Sequence, residues 1–132
     1  ANLWTPMTGA GAPVARASAT GVWTGSVLVV WGGTIGSTSG LDTGGRYNPT
    51  ADTWTPTLNN NSPSERLEHS VIWTGNVLVV WGGSSGAGVV GTGGRYALGQ
   101  DETRTTTGPG DAPAIVMTAT RQYGPRPVRS ST

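Results

Sequence analysis

Gly21-Val-Trp23-Thr-Gly-Ser-Val-Leu-Val-Val-Trp31-Gly-Gly33 returns fifty residues later as Val71-Ile-Trp73-Thr-Gly-Asn-Val-Leu-Val-Val-Trp81-Gly-Gly83, with ten of thirteen positions identical. Working outward, the same offset pairs Leu3-Trp4-Thr5-Pro6 with Thr53-Trp54-Thr55-Pro56. Thr43-Gly-Gly-Arg-Tyr47 recurs one residue early as Thr92-Gly-Gly-Arg-Tyr96, after a shorter loop. Pro13, Pro63 and Pro113 keep the period of 50. A fixed period of that size signals a solenoid, propeller or array. Each unit offers four short candidate strands separated by Gly, Pro, Asn or Ser, and no stretch carries a 3.6-residue apolar rhythm. The strands are predicted at 17–23, 26–31, 45–47 and 53–57, then at 67–73, 76–81, 94–96 and a degraded fourth. Val27 to Trp31 is apolar at every position, which suits an inner strand covered on both faces. The Gly-Gly pair that ends it permits positive φ and close approach of a neighbouring backbone. Pro56 fits an edge strand.

Composition agrees. The 132 residues include 22 Gly and 9 Pro, are 35% hydrophobic and only 11% charged, and carry a net charge of +1. That balance lacks the basic surplus of a nucleic-acid or anionic-membrane partner. Zero Cys and one His disfavour thiol and metal chemistry. Apolar runs of five residues are too short for membrane insertion, and the chain shows no charged-then-apolar leader. The absence of Lys and Phe, both with AT-rich codons, points to a GC-rich bacterial source.

An apolar strand closed by Gly32-Gly33, then Tyr47, then six residues, then Trp54, resembles the kelch signature, and Arg66-Leu-Glu-His69-Ser-Val resembles the opening strand of a kelch blade. The resemblance covers Ala1 to about Gln100. It implies an all-β fold, a partial kelch-type β-propeller of about two four-stranded antiparallel blades. Residues 1–15 then read as the last strand of a preceding blade and a linker, and 16–65 as a blade. Residues 66–112 read as a blade whose last strand is degraded, Arg104 standing where Trp54 stood. Residues 113–132 read as a degraded or disordered start of the next blade. Met117-Thr-Ala-Thr-Arg-Gln-Tyr-Gly-Pro125 can be encoded by a string that gives Asp-Ser-His-Thr-Ala-Val-Trp-Thr in another frame, so a frameshifted tail is one expectation. Two blades are too few to close a ring. The chain is therefore expected either to be a fragment of a longer propeller, the favoured reading, or to self-assemble into a ring as some small propeller lectins do.

Trp23, Trp31, Trp73 and Trp81 read as core between blades, in preference to sugar-stacking platforms. Arg46 and Arg95 read as structural because they repeat. Asp52 reads as a turn former bonding local backbone. The candidate ligand-binding residues are Arg16 and Arg66, which in kelch propellers lie near the central channel mouth, and His69. For His69 a structural hydrogen bond at the start of an inner strand is the preferred reading, and for the two arginines ligand contact is the less favoured one. Glu65 and Glu68 are possible ion-pair partners of Arg66, worth little if exposed. The Gly-rich loops at 33–40 and 83–88 lack the Lys and the following helix of a phosphate loop. They read as variable loops in which propellers place specificity.

No catalytic constellation, cofactor or metal site is visible in the sequence. The expected function is a protein-binding or scaffold module. The alternative is a carbohydrate-binding propeller of a secreted bacterial protein, extracellular or periplasmic, favoured by its Thr, Ser, Asn and Gly content. Kelch propellers also include sugar-active enzymes, among them a copper oxidase, whose Cys–Tyr crosslink and copper ligands zero Cys and one His exclude.

Overall fold

The computed structural model describes residues 2–36 and 39–98. The expected fourth strand of the second unit and the region from 113 onward lie outside them. Among the described residues there is no helix, and all strand pairing is antiparallel. The fold is all-β. Strands β1 (Thr20–Trp23), β2 (Leu28–Trp31), β3 (Gly44–Asn48) and β4 (Thr53–Pro56) form one sheet in chain order. The second sheet takes β5 (Ser70–Trp73) and β6 (Leu78–Trp81). A two-residue hairpin, β7 (Ser84–Ser85) with β8 (Gly88–Val89), precedes the sheet's third strand β9 (Gly93–Tyr96). The registers repeat as the sequence does: Thr20 faces Trp31 across one hairpin and Ser70 faces Trp81 across the other.

Several details differ from the sequence expectation, among them the second strands, which begin at Leu28 and Leu78 and not at 26 and 76. The first strand of each unit begins three residues later than predicted, because Ser18 and Glu68 have φ of 53° and 55° and break the extended run. Ala17 and Leu67 make only isolated bridges. The β7–β8 hairpin forms where the Gly-rich composition reads as loop.

The core lies between the sheets and has a telling parity. The first sheet buries Val29 and Trp31, whereas the second buries Leu78 and Val80. Those are alternate positions of the same Leu-Val-Val-Trp tetrapeptide, so they lie on opposite faces of equivalent strands. The partly buried neighbours follow: Val22 joins the first set, Val71 and Trp73 the second. A two-fold pairing would bury the same residues twice. The units instead stack head to tail, as successive members of an array. Trp31 is accordingly 5% exposed and Trp81 59%.

In the first unit the outer strand is locked by aromatic packing. The Trp54 ring lies 5.2 Å from that of Tyr47, and its indole Nε1 donates to the Thr8 carbonyl at 3.0 Å. The local backbone bonds expected of Asp52 are made by Asn48, whose Oδ1 accepts from the Thr50 and Ala51 N–H groups; Asp52 Oδ1 instead accepts from the Tyr47 hydroxyl at 2.8 Å and from the distant Thr8 backbone N–H at 2.9 Å. The Thr8 bond first, then the Tyr47 bond, holds the Asp52 carboxyl below its ordinary value. Its contribution is thus present above about pH 4 and lost as pH falls through the lowered value.

Candidate functional site

The segments that open the two units, Arg16 to Ala19 and Arg66 to His69, hold the three sequence-predicted site residues. Each Arg reaches back to where the ladder between the second and third strands opens. Arg66 Nη1 donates to the Gly82 and Thr92 carbonyls at 3.0 and 2.6 Å. Its Nη2 donates to Thr92 Oγ1 and Ser64 Oγ, and its Nε to the Ser64 carbonyl. All five N–H groups are satisfied, by Gly82 and Thr92 of its own unit and by Ser64 just before it, and the side chain is 0% exposed. Arg16 repeats the pattern with the Gly32, Thr43 and Val14 carbonyls. Val14 replaces Ser64, so Arg16 lacks that hydroxyl partner, and its Nη2 has only Thr43 Oγ1 at 3.4 Å. Arg16 is partly exposed and keeps an N–H to offer; Arg66 has none. Burial pushes both guanidinium groups below their ordinary value, yet from so high a start that both stay charged at neutral pH.

Glu65 and Glu68 take none of the Arg66 N–H groups and are exposed. The ion-pair expectation is therefore replaced by carbonyl capping. Arg46 is buried between the sheets and Arg95 is exposed, as the opposite burial of the two units requires.

His69 joins the sheets. Its Nε2 lies 2.6 Å from Thr20 Oγ1 in the first unit, and its ring meets Trp31 edge-on at 5.1 Å between centroids. Around it, the Gly33 N–H donates to the Arg66 carbonyl, the Arg66 N–H to the Leu41 carbonyl and the Glu68 N–H to the Ser18 carbonyl. His69 Nδ1 is buried with no partner among the described residues. Burial first, then the charge of Arg66, lowers the imidazole pKa below its ordinary value, so the folded protein holds it neutral.

A proton is thus bound more readily in the unfolded chain, where the pKa is about 6.5. The contribution of His69 is complete above that pH and is lost as pH falls toward the lowered folded value, by at most about 1.4 kcal/mol per pH unit. Urea midpoints should fall between pH 7 and 5 in the wild type and stay flat over that range in His69→Gln. An equal slope in both proteins would refute this role.

The loops between second and third strands rise from the same end of both sheets. An ideal Cβ on Gly86 would lie 3.6 Å from Ser39 Oγ, so the loops adjoin. They carry exposed apolar side chains, Ile35 at 61% and Val89 at 95%. The sequence points to both loops as places of specificity, but Ile35 and Val89 themselves carry no periodic signature there. Among the described residues no group of three His, Asp or Glu could hold a metal ion. Comparison with protein-family models finds no match, and a search of curated proteins finds none either.

Proposed function

We propose that the chain is part of a kelch-type β-propeller and serves as a protein-binding or scaffold module, with the loops at 33–43 and 83–92 as its contact surface. The observation that carries this reading is the pair of exposed apolar side chains, Ile35 and Val89, in adjoining connections between the second and third strands. Exposed apolar side chains match a protein surface better than a polyhydroxylated sugar. The framework polar groups are spent on the fold itself: Arg66 is saturated and His69 is enclosed. The kelch resemblance rests on the Gly-Gly strand endings, the Tyr47-to-Trp54 spacing and the period near fifty. The head-to-tail stacking of the units accords with successive propeller blades.

Affinity capture of proteins, run beside a glycan array, tests the proposal. The wild type should retain a protein that the Ile35→Asp/Val89→Asp double variant loses, while both unfold at the same urea concentration. Saturable glycan binding without such a protein, or capture unaffected by the double substitution, would reject it.

A further inference from the structure

The faces left uncovered at the two ends of the stack repeat the faces that meet inside it. Within the chain, Val22, Val29 and Trp31 of the first sheet pack against Trp73, Leu78 and Val80 of the second. On the open face of the second sheet the equivalents of the first set are Ile72, Val79 and Trp81. On the open face of the first sheet the equivalents of the second set are Trp23, Leu28 and Val30. The side chains are kept almost unchanged, and Trp23, Ile72 and Trp81 are all exposed. Backbone features recur too. Ser18 has the positive φ of Glu68, and Gly82-Gly83, at 71° and 92°, match Gly32-Gly33 at 73° and 91°.

A second mismatch lies at the edge of the second sheet. β3 is paired with β4, whereas β9 has no fourth strand among the described residues. Beside β9 is a cleft open to solvent, lined by Leu58, Asn61, Pro63, Gly94 and Tyr96 among others. Their equivalents Thr8, Gly11, Pro13, Gly45 and Tyr47 surround Trp54 in the first unit. The cleft is thus the counterpart of the indole socket. The Tyr96 hydroxyl is buried there without a partner among the described residues, where Tyr47 has Asp52.

The chain holds a second copy of the β4 sequence. Ala1-Asn2-Leu3-Trp4-Thr5-Pro6 matches Ala51-Asp52-Thr53-Trp54-Thr55-Pro56, with Asn2 at the carboxylate position. Trp4 is 101% exposed. Trp4 precedes Arg16 by the same twelve residues that separate Trp54 from Arg66.

We propose that copies of this chain associate head to tail. The first sheet of one copy stacks on the Trp81 face of the next, and its residues 2–6 complete that neighbour's second sheet as a fourth strand. Trp4 enters the cleft beside Tyr96, and Asn2 Oδ1 accepts from the Tyr96 hydroxyl. Such a contact is heterologous, so it propagates to rings or filaments. The inference rests on the repeat geometry and is independent of what the loops bind.

Sedimentation of the full chain over a wide concentration range tests it, with Trp4→Ala as the variant. Trp4 is fully exposed in the single chain, so its removal leaves that fold intact, and the Trp31–His69 contact followed by NMR verifies this. The wild type should form concentration-dependent oligomers, and Trp4→Ala should associate roughly thirty-fold more weakly, as for a Trp anchoring an interface. A peptide of residues 1–6 should compete, and its Trp-to-Ala counterpart should not. Mixed isotope labelling should show Trp4-to-Tyr96 contacts between chains. A wild type monomeric throughout, or Trp4→Ala associating like the wild type, would overturn the proposal. The second result is the one expected if residues 101–105 of the same chain supply the fourth strand.

Discussion

Arg66→Met should lower the stability of the chain by on the order of 3–5 kcal/mol, while Arg16→Met costs about 1–2 kcal/mol. The two arginines occupy equivalent positions, so residue type and local backbone are controlled. What differs is surroundings. Arg66 is wholly enclosed and places five N–H groups on the Ser64, Gly82 and Thr92 acceptors. Removing the guanidinium takes the donors from the Ser64 and Gly82 carbonyls and from the Ser64 and Thr92 hydroxyls, while the Thr92 carbonyl keeps only the Gly82 N–H at 3.0 Å. Arg16 is partly exposed, and water can take over its acceptors. A loss of this size is a large share of the stability of any small domain, so Arg66→Met should populate the unfolded state without denaturant. Arg66→Lys should recover little, because an ammonium cannot span two carbonyls and two hydroxyls in the planar fork. Urea unfolding of the three variants decides the matter, and equal midpoints for Arg66→Met and Arg16→Met would refute the assignment.

Gly32→Ala and Gly82→Ala should differ even more visibly in character. Both glycines have positive φ, 73° and 71°, so either substitution carries a backbone cost of about 1–2 kcal/mol. At Gly82 that is nearly all, because a new Cβ would meet only the Val90 carbonyl at 3.8 Å. At Gly32 the Cβ would run into His69 Cε1 and lie 2.9 Å from the Arg66 carbonyl. The backbone carbonyl cannot swing aside, so the second sheet must lift away from the first. Gly32→Ala should cost several kcal/mol in all and separate the His69 and Trp31 rings. Gly82→Ala should leave that contact unchanged. Matching losses at the two sites would mean that only φ matters and that the sheets do not meet there.

Much of this fold is legible in the sequence. The repeat at fifty places equivalent strands, and Gly32-Gly33 and Gly82-Gly83 announce their left-handed backbone. Which face of a strand is covered is another matter. Leu28–Trp31 and Leu78–Trp81 are the same four residues, yet one buries Val29 and Trp31 and the other Leu78 and Val80. The neighbour selects the face, and a tetrapeptide apolar throughout carries no alternation to announce it. The joining role of His69 is similarly hidden, because Ala19 occupies the matching position and periodicity cannot say what the ring would touch. The saturation of Arg66 is partly readable in retrospect. Thr43 and Thr92 repeat with the two arginines, and Ser64 against Val14 marks the unit in which the fifth N–H finds a partner. The exposed apolar side chains of the loops escape such reasoning, since Ile35 and Val89 occupy no repeated position.

Head-to-tail stacking of the two units through His69 is the claim on which the rest depends, and through-space NMR contacts test it most directly. With ring centroids 5.1 Å apart and Thr20 Oγ1 2.6 Å from Nε2, the His69 ring protons should show cross-peaks to the Trp31 indole and to the Thr20 side chain. If the Trp31 indole instead shows contacts only within its own sheet, and the His69 ring contacts nothing before Ser64, the two units do not stack in this way.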